Sequence, residues 1–222
     1  MRRKIILRSV IPVALIILAA IGFAVFEPIQ VLPRIRLAPG YLLVDQSAET
    51  ITSEDVRGDI VLYNFGYSGC GDACASMNDT MREIQSRLDE VDVGDTDIRF
   101  VTVSFDSDTD TPEVLAEYAA EVGADPDLWS FATGDPVHLQ NVVKAGFEAY
   151  YERQDDGTFI FDPIFILVDG WGVIRGEYRY RTSASDSDKI VRHLDILGEE
   201  IRNSRGAASL AYEAAHFFLC YP

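Results

Sequence analysis

The segment IVLYNFGYSGCGDAC, residues 60–74, decides how this chain reads. Ile60 to Phe65 is a short apolar run closed by Gly66, the pattern of a buried strand. Met77, Met81, Ile84, Leu88 and Val91 follow at steps of three and four, which predicts a helix with one apolar face. Cys70 and Cys74 therefore fall where a strand hands over to a helix. Side chains four apart share a helix face, and in a loop entering a helix two sulfurs can approach to bridging distance. Either arrangement permits a reversible disulfide or a shared soft metal ion. The exposed N–H groups and positive dipole end of a helix N-terminus favour thiolate, so Cys70 reads as the attacking thiol and Cys74 as the resolving one. An inert bridge is the alternative, although closing so short a loop removes little chain entropy. A zinc site would need a second Cys or His pair at suitable spacing, and none is evident.

Working outward, Ile98 to Phe105 is again strand-like, and Pro112 opens a helix with Thr111 as its cap. Asp135-Pro136 starts a third helix. Phe159 to Val168 and Val173 to Tyr178 read as two strands joined by the tight turn Asp169-Gly170-Trp171-Gly172. Ile190, Leu194, Leu197 and Ile201 mark a last amphipathic helix. This order, with parallel strands early and antiparallel ones late, predicts an α/β thioredoxin-like fold.

Upstream, Ser9 to Phe26 is 18 residues without a formal charge, about the length that crosses a bilayer as a helix. Arg2, Arg3, Lys4 and Arg8 lie on one side of it, which keeps that end in the cytoplasm and puts everything after Glu27 outside. A cleaved signal peptide, with Gly22 and Ala24 near its cleavage site, is the rival reading. No acidic-poor, Ser- and Arg-rich transit peptide is present, so the expected location is a bacterial cell membrane with the domain extracytoplasmic, where disulfides persist. The expected divisions are 1–26 for the cytoplasmic N-terminus and transmembrane anchor, 27–40 for a Pro-rich spacer, 41–204 for the folded domain and 205–222 for an apolar tail. Acidic residues outnumber basic ones 36 to 19, for a net charge of −17, which argues against a nucleic-acid partner.

Asp106, Asp108 and Asp110, with Glu117 twelfth from Asp106, imitate a calcium loop, but Thr111 stands where such a loop needs glycine. These carboxylates are better read as helix-capping and water-facing. His138 and His193 read as surface residues on amphipathic helices. His216 and Cys220, four apart in the tail, would share a helix face. They would pack, dock a partner or fold back as metal ligands.

The segment Phe65 to Cys74 (FGYSGCGDAC) resembles the signature of the Sco/SenC family, an aromatic-Gly-Tyr lead followed by Cys-Pro-Asp-x-Cys. Val103 to Glu113 (VSFDSDTDTPE) is similar to that family's second block, and Ala132-Thr133-Gly134 and Ile166-Leu167-Val168-Asp169 complete a resemblance spanning residues 40 to 202. It implies work in assembling the dinuclear copper site of cytochrome c oxidase, with a copper-site subunit or another respiratory-complex protein as partner. It also implies Cu(I) held by Cys70, Cys74 and a distant histidine. At the histidine position this chain has Phe161, or in a shifted register Asp162 or Pro163, so the ligand is missing. Gly71, Ala75 and Thr109 also depart from the family pattern. Pro163 fits the place where redox-active thioredoxin-fold proteins carry a cis-proline beside their cysteines. Three functions follow: a thiol-disulfide oxidoreductase using Cys70, Cys74 and Pro163, a Cu(I) metallochaperone using the two cysteines, or a structural subunit of a respiratory membrane complex with an inert disulfide. A peroxidase lacks its Thr and Arg partners.

Overall fold

The computed structural model describes residues 29–179, 186–204 and 209–218. The apolar run 9–26, residues 180–185 and Cys220 lie outside these residues. Among the described residues no helix is long and apolar enough to cross a membrane.

The strands are β1 (Arg36–Leu37), β2 (Leu42–Asp45), β3 (Thr50–Thr52), β4 (Ile60–Gly66), β5 (Ile98–Ser104), β6 (Trp129–Thr133), β7 (Tyr151–Arg153), β8 (Phe159–Phe161), β9 (Ile164–Val168) and β10 (Val173–Arg179). Eight of them form one sheet in the order β1-β10-β9-β4-β5-β6-β2-β3, and β7 pairs with β8 apart from it. β4, β5 and β6 run parallel, while β9 lies antiparallel to β4 and β10 to β9. β4 is buried along its whole length because both faces are covered, which is why it reads as an unbroken apolar run.

Side-chain alternation sorts the core into two layers. Val61, Tyr63 and Phe65 of β4 face Leu139, Val142, Val143 and Phe147 on one side. These last residues belong to α3 (Pro136–Leu139) and its π-helical continuation Gln140–Gly146. Ile60 and Leu62 face the other side, where α1 (Asp72–Gln85), α2 (Pro112–Val122) and α4 (Ser187–Arg202) supply Met77, Met81, Ile84, Leu115, Ile190, Leu194 and Leu197. The expected caps are in place: Thr111 accepts from the Val114 N–H, and Asp135 accepts from those of Val137 and His138.

Several expectations are corrected. The helix over Met77 to Val91 ends at Gln85, and Leu88 lies in a following 3₁₀ turn. Leu88 and Val91 nonetheless pack on the same core. The strand over Phe159 to Val168 is broken at Asp162-Pro163, since proline has no N–H to donate and the Asp162 N–H goes instead to the Tyr150 carbonyl. From Ile29 onward the 27–40 stretch is no spacer: Val31 and Leu32 are fully buried, and Arg36 and Leu37 pair with Ile174 and Val173.

A bulge in β10 at Arg175 places Ile174 in one core layer and Tyr178 in the other, whereas residues four apart in a regular strand share a face. It also turns Arg175 into a buried clasp. Its guanidinium donates to Asp169 (2.9 Å), Glu200 (2.7 Å) and the carbonyls of Leu32 (2.7 Å) and Pro33 (3.0 Å). The tail helix α5 (Ser209–Phe218) joins this region, with His216 Nε2 2.9 Å from Glu200, Arg34 paired to Glu213, and Tyr212 and Ala215 against Val31.

Candidate functional site

β4 ends centrally in the sheet at Gly66, and the loop Tyr67 to Gly71 leads into α1. Cys70 and Cys74 form a disulfide with a Cα separation of 5.7 Å. Cys70 is half-buried at the loop mouth, and Cys74, in the first turn of the helix, is buried. An attacking thiol on a partner therefore meets Cys70 first. Two glycines permit this geometry. A Cβ at Gly66 would stand 2.7 Å from Cys74 Sγ, so only a bare backbone lets the helix come so close. Gly71, the N-cap of α1, has φ of 64°, a conformation closed to the proline of the resembling signature. Asp72 lies in the first turn and its charge partly offsets the dipole that favours thiolate at Cys70.

The loop is fixed from below by Asp110, which is completely buried. Its carboxylate accepts from the Ser68 N–H (2.9 Å) and from the hydroxyls of Ser68 and Ser104. Asp110 is thus not water-facing, contrary to expectation, and Asp108 pairs with Arg153. Behind Cys74 lies a cavity of about 10 Å³, room for one water, lined also by Asn64, Asn78, Thr102, Asp110 and Tyr118. Its polar wall is a relay absent from the sequence expectations. Trp129 Nε1 donates to Thr102 Oγ1 (2.7 Å), which donates to Asn64 Oδ1 (2.6 Å), and Asn78 donates to the Tyr118 hydroxyl (2.7 Å). Burial raises the Tyr118 hydroxyl above its ordinary pKa, so it stays neutral. The signal was a polar residue inside each of two apolar runs, Asn64 and Thr102, which the register sets side by side.

The other wall is aromatic. Tyr67, Phe105, Tyr151, Phe159 and Phe161 cluster with ring centroids 4.5–6.3 Å apart, and Phe105 stacks on Tyr151. Phe161, at the position where the resemblance implies an imidazole, is one of these rings. Asp162 pairs with Arg179. The antiparallel pairing of β4 with β9 ends at Asn64 with Phe165, and Pro163 directly precedes β9. Its peptide bond is trans, as no cis bond occurs among the described residues, which corrects the cis expectation.

The histidines do not converge on the cysteines. His138 Nε2 accepts from the Leu42 N–H, on a strand three positions from β4 and so about 14 Å across the sheet. His193 is buried rather than superficial, bonded through Nδ1 to the Tyr178 hydroxyl at 2.8 Å. Burial, reinforced by Lys189 and Arg192, lowers its pKa to about 4. His216 binds Glu200, whose other oxygen holds Arg175 at the start of β10, the end of the sheet opposite the cysteines. His216 is therefore not a third ligand to the pair in this structure, and Cys220 lies outside the described residues. Among the described residues no group of three or more His, Cys, Asp or Glu converges as a metal site. The donor set is two thiolates, which fits a two-coordinate soft cargo ion such as Cu(I) and does not fit a resident mixed sulfur and imidazole centre.

These features define a thioredoxin-like domain carrying a cysteine pair at the N-terminus of its first helix. Residues 31–195 match the SCO1/SenC family, and the chain belongs to it. A SCO2-like protein of Rickettsia typhi is 33% identical over 165 residues, covering 72% of this chain and 78% of that protein. Among solved structures, BsSco, a member of the Sco family of cytochrome c oxidase assembly proteins described with a disulfide switch, superposes with a TM-score of 0.65 at 21% identity. That match covers 75% of this chain and 96% of BsSco. Arabidopsis thaliana ScoI with copper bound superposes with a TM-score of 0.62 at 20% identity, over 75% of this chain and 98% of that one.

Proposed function

We propose that the protein is a membrane-tethered thiol-disulfide oxidoreductase serving the copper-site assembly of a cytochrome c oxidase, with its domain on the extracytoplasmic side of a bacterial cell membrane. The carrying observation is the asymmetry of the pair: a reachable Cys70 bridged to a buried Cys74. In the reduced protein the Cys70 thiolate attacks one sulfur of a partner disulfide and displaces the other as thiolate. Cys74 then attacks Cys70, releasing the partner as a dithiol and leaving the Cys70–Cys74 bridge. Two electrons pass to the partner, and an external dithiol restores the protein. Pro163 and Gly66 border the strip along which a partner peptide would lie. Support for the setting comes from the relative named for cytochrome c oxidase assembly and from the 18-residue uncharged run at the N-terminus.

The copper-bound relative favours a second reading, in which the thiolates carry Cu(I) as cargo and a partner completes the coordination. One pair of variants separates the two. Cys74→Ser should accumulate a mixed disulfide with a model disulfide peptide and Cys70→Ser should not. Tight one-to-one Cu(I) binding lost in both variants, with no trapped adduct, would replace reductase by carrier. A bridge that no dithiol reduces would leave only a structural role.

A further inference from the structure

The place where the chain joins the domain limits how the domain can stand. Ile29 and Val31 pack on Tyr212 and Ala215 of α5, and Leu32 is fully buried. The uncharged run ends at Phe26, only three residues earlier, a reach of about 10 Å when fully extended. The polar zone of a bilayer is itself about 5 to 7 Å deep on each side. If the run crosses the hydrocarbon, no free tether remains between lipid and domain.

The same end of the sheet exposes large apolar side chains. Trp171, at the β9–β10 turn, is 80% exposed, Leu37 beside it is 72% exposed, and Leu210 on α5 is 80% exposed. Leu37 pairs with Val173, two residues from Trp171, and both line a cleft of about 200 Å³ with Pro39 and Arg57. An exposed tryptophan suits the headgroup level, where its ring is apolar and its N–H finds water or phosphate. Of the carboxylates beside these side chains, Glu54 is paired with Arg57 at 2.7 Å and Glu213 with Arg34 at 3.0 Å.

We propose that this end rests on the bilayer, with Trp171, Leu37 and Leu210 in the interface of a zwitterionic leaflet. The Cys70–Cys74 bridge, at the far end of β4, is then held about 20 Å above the lipid, the rise of a seven-residue strand. A partner must present its own cysteines at that height. This inference rests on the anchored reading of residues 9–26, and the experiment separates the two.

The test uses full-length protein in phosphatidylcholine nanodiscs with brominated or plain acyl chains. Trp129 is fully buried and Trp171 is the other of the two tryptophans, so emission lost in Trp171→Phe reports Trp171 alone. The expected result is a chain that stays with lipid at alkaline pH and Trp171 emission quenched about twofold by the brominated lipid. Retention with no bromolipid quenching and free quenching by aqueous acrylamide would overturn the docked end while leaving the anchor intact. Release of the chain at alkaline pH would overturn the anchor and the docking together.

Discussion

Substituting Gly66→Ala should make the Cys70–Cys74 bridge easier to reduce. The new Cβ would sit 2.7 Å from Cys74 Sγ, against a comfortable separation of about 3.5–4.0 Å, so roughly 1 Å of relief is needed. Neither neighbour yields easily: β4 is paired on both sides, by β5 and β9, and Cys74 stands on a helix anchored by buried Met77 and Met81. Overpacking of this kind costs about 1 to 3 kcal/mol. In the reduced protein Cys74 can rotate its sulfur away from the methyl, but in the oxidised protein the bridge forbids that rotation. The cost therefore falls on the oxidised form, and the reduction potential should rise by about 20 to 60 mV at about 30 mV per 1.4 kcal/mol. Equilibration in graded dithiol buffers, with thiols counted by alkylation, measures the shift. Thermal unfolding of both redox forms checks its origin, the oxidised form losing more. An unchanged potential with equal destabilisation of both forms would refute the reasoning.

Two further outcomes follow from buried polar groups. His193 is neutral in the fold, with its pKa lowered to about 4, while the unfolded chain binds a proton near 6.5, so stability drops as pH falls between those values. The slope is at most about 1.4 kcal/mol per pH unit. His193→Gln should be less acid-sensitive by about 2 kcal/mol at pH 4.5, read as a melting-temperature difference of about 4 to 8 °C, and parallel pH profiles would show that His193 does not titrate this way. Arg175→Met strands Asp169, Glu200 and two carbonyls, and should cost about 3 to 5 kcal/mol. It should also open trypsin cleavage after Arg34 or Arg36 while leaving the Cys70–Cys74 potential unmoved. Continued protection of those sites would refute the clasp.

Periodicity in this sequence reported burial more faithfully than hydrogen bonding. Leu88 and Val91 keep the phase of α1 because they line the same core, although the helix has already ended. The reverse error occurs at Phe159 to Val168, where apolar continuity concealed a break that Pro163 marks. His193 falls three residues after Ile190 and four before Leu197, so its burial was legible in the helix phase and was masked by its polarity. The strands β2 (LLVD) and β3 (TIT) are only four and three residues long, too short to show a period. The cysteine pair was legible because both partners lie within one connection. What surrounds it was not: the bonds of Asp110 to Ser68 and Ser104, the Trp129–Thr102–Asn64 relay and the aromatic wall all join separated segments. The isomer of the Asp162–Pro163 bond, trans here, is set by the surrounding fold and not by the local sequence.

The Arg175 clasp also sets a schedule for the newborn chain. Leu32 and Arg175 are 143 residues apart, so at about 5 to 20 residues per second the ribosome needs about 7 to 30 s between them. Until then the carbonyls of Leu32 and Pro33 have no guanidinium to bind, and Glu200 must still follow. Cys70 and Cys74 are made well before that moment. A bridge closed at that stage would form in a chain whose sheet still lacks β9 and β10, the neighbours that complete the site.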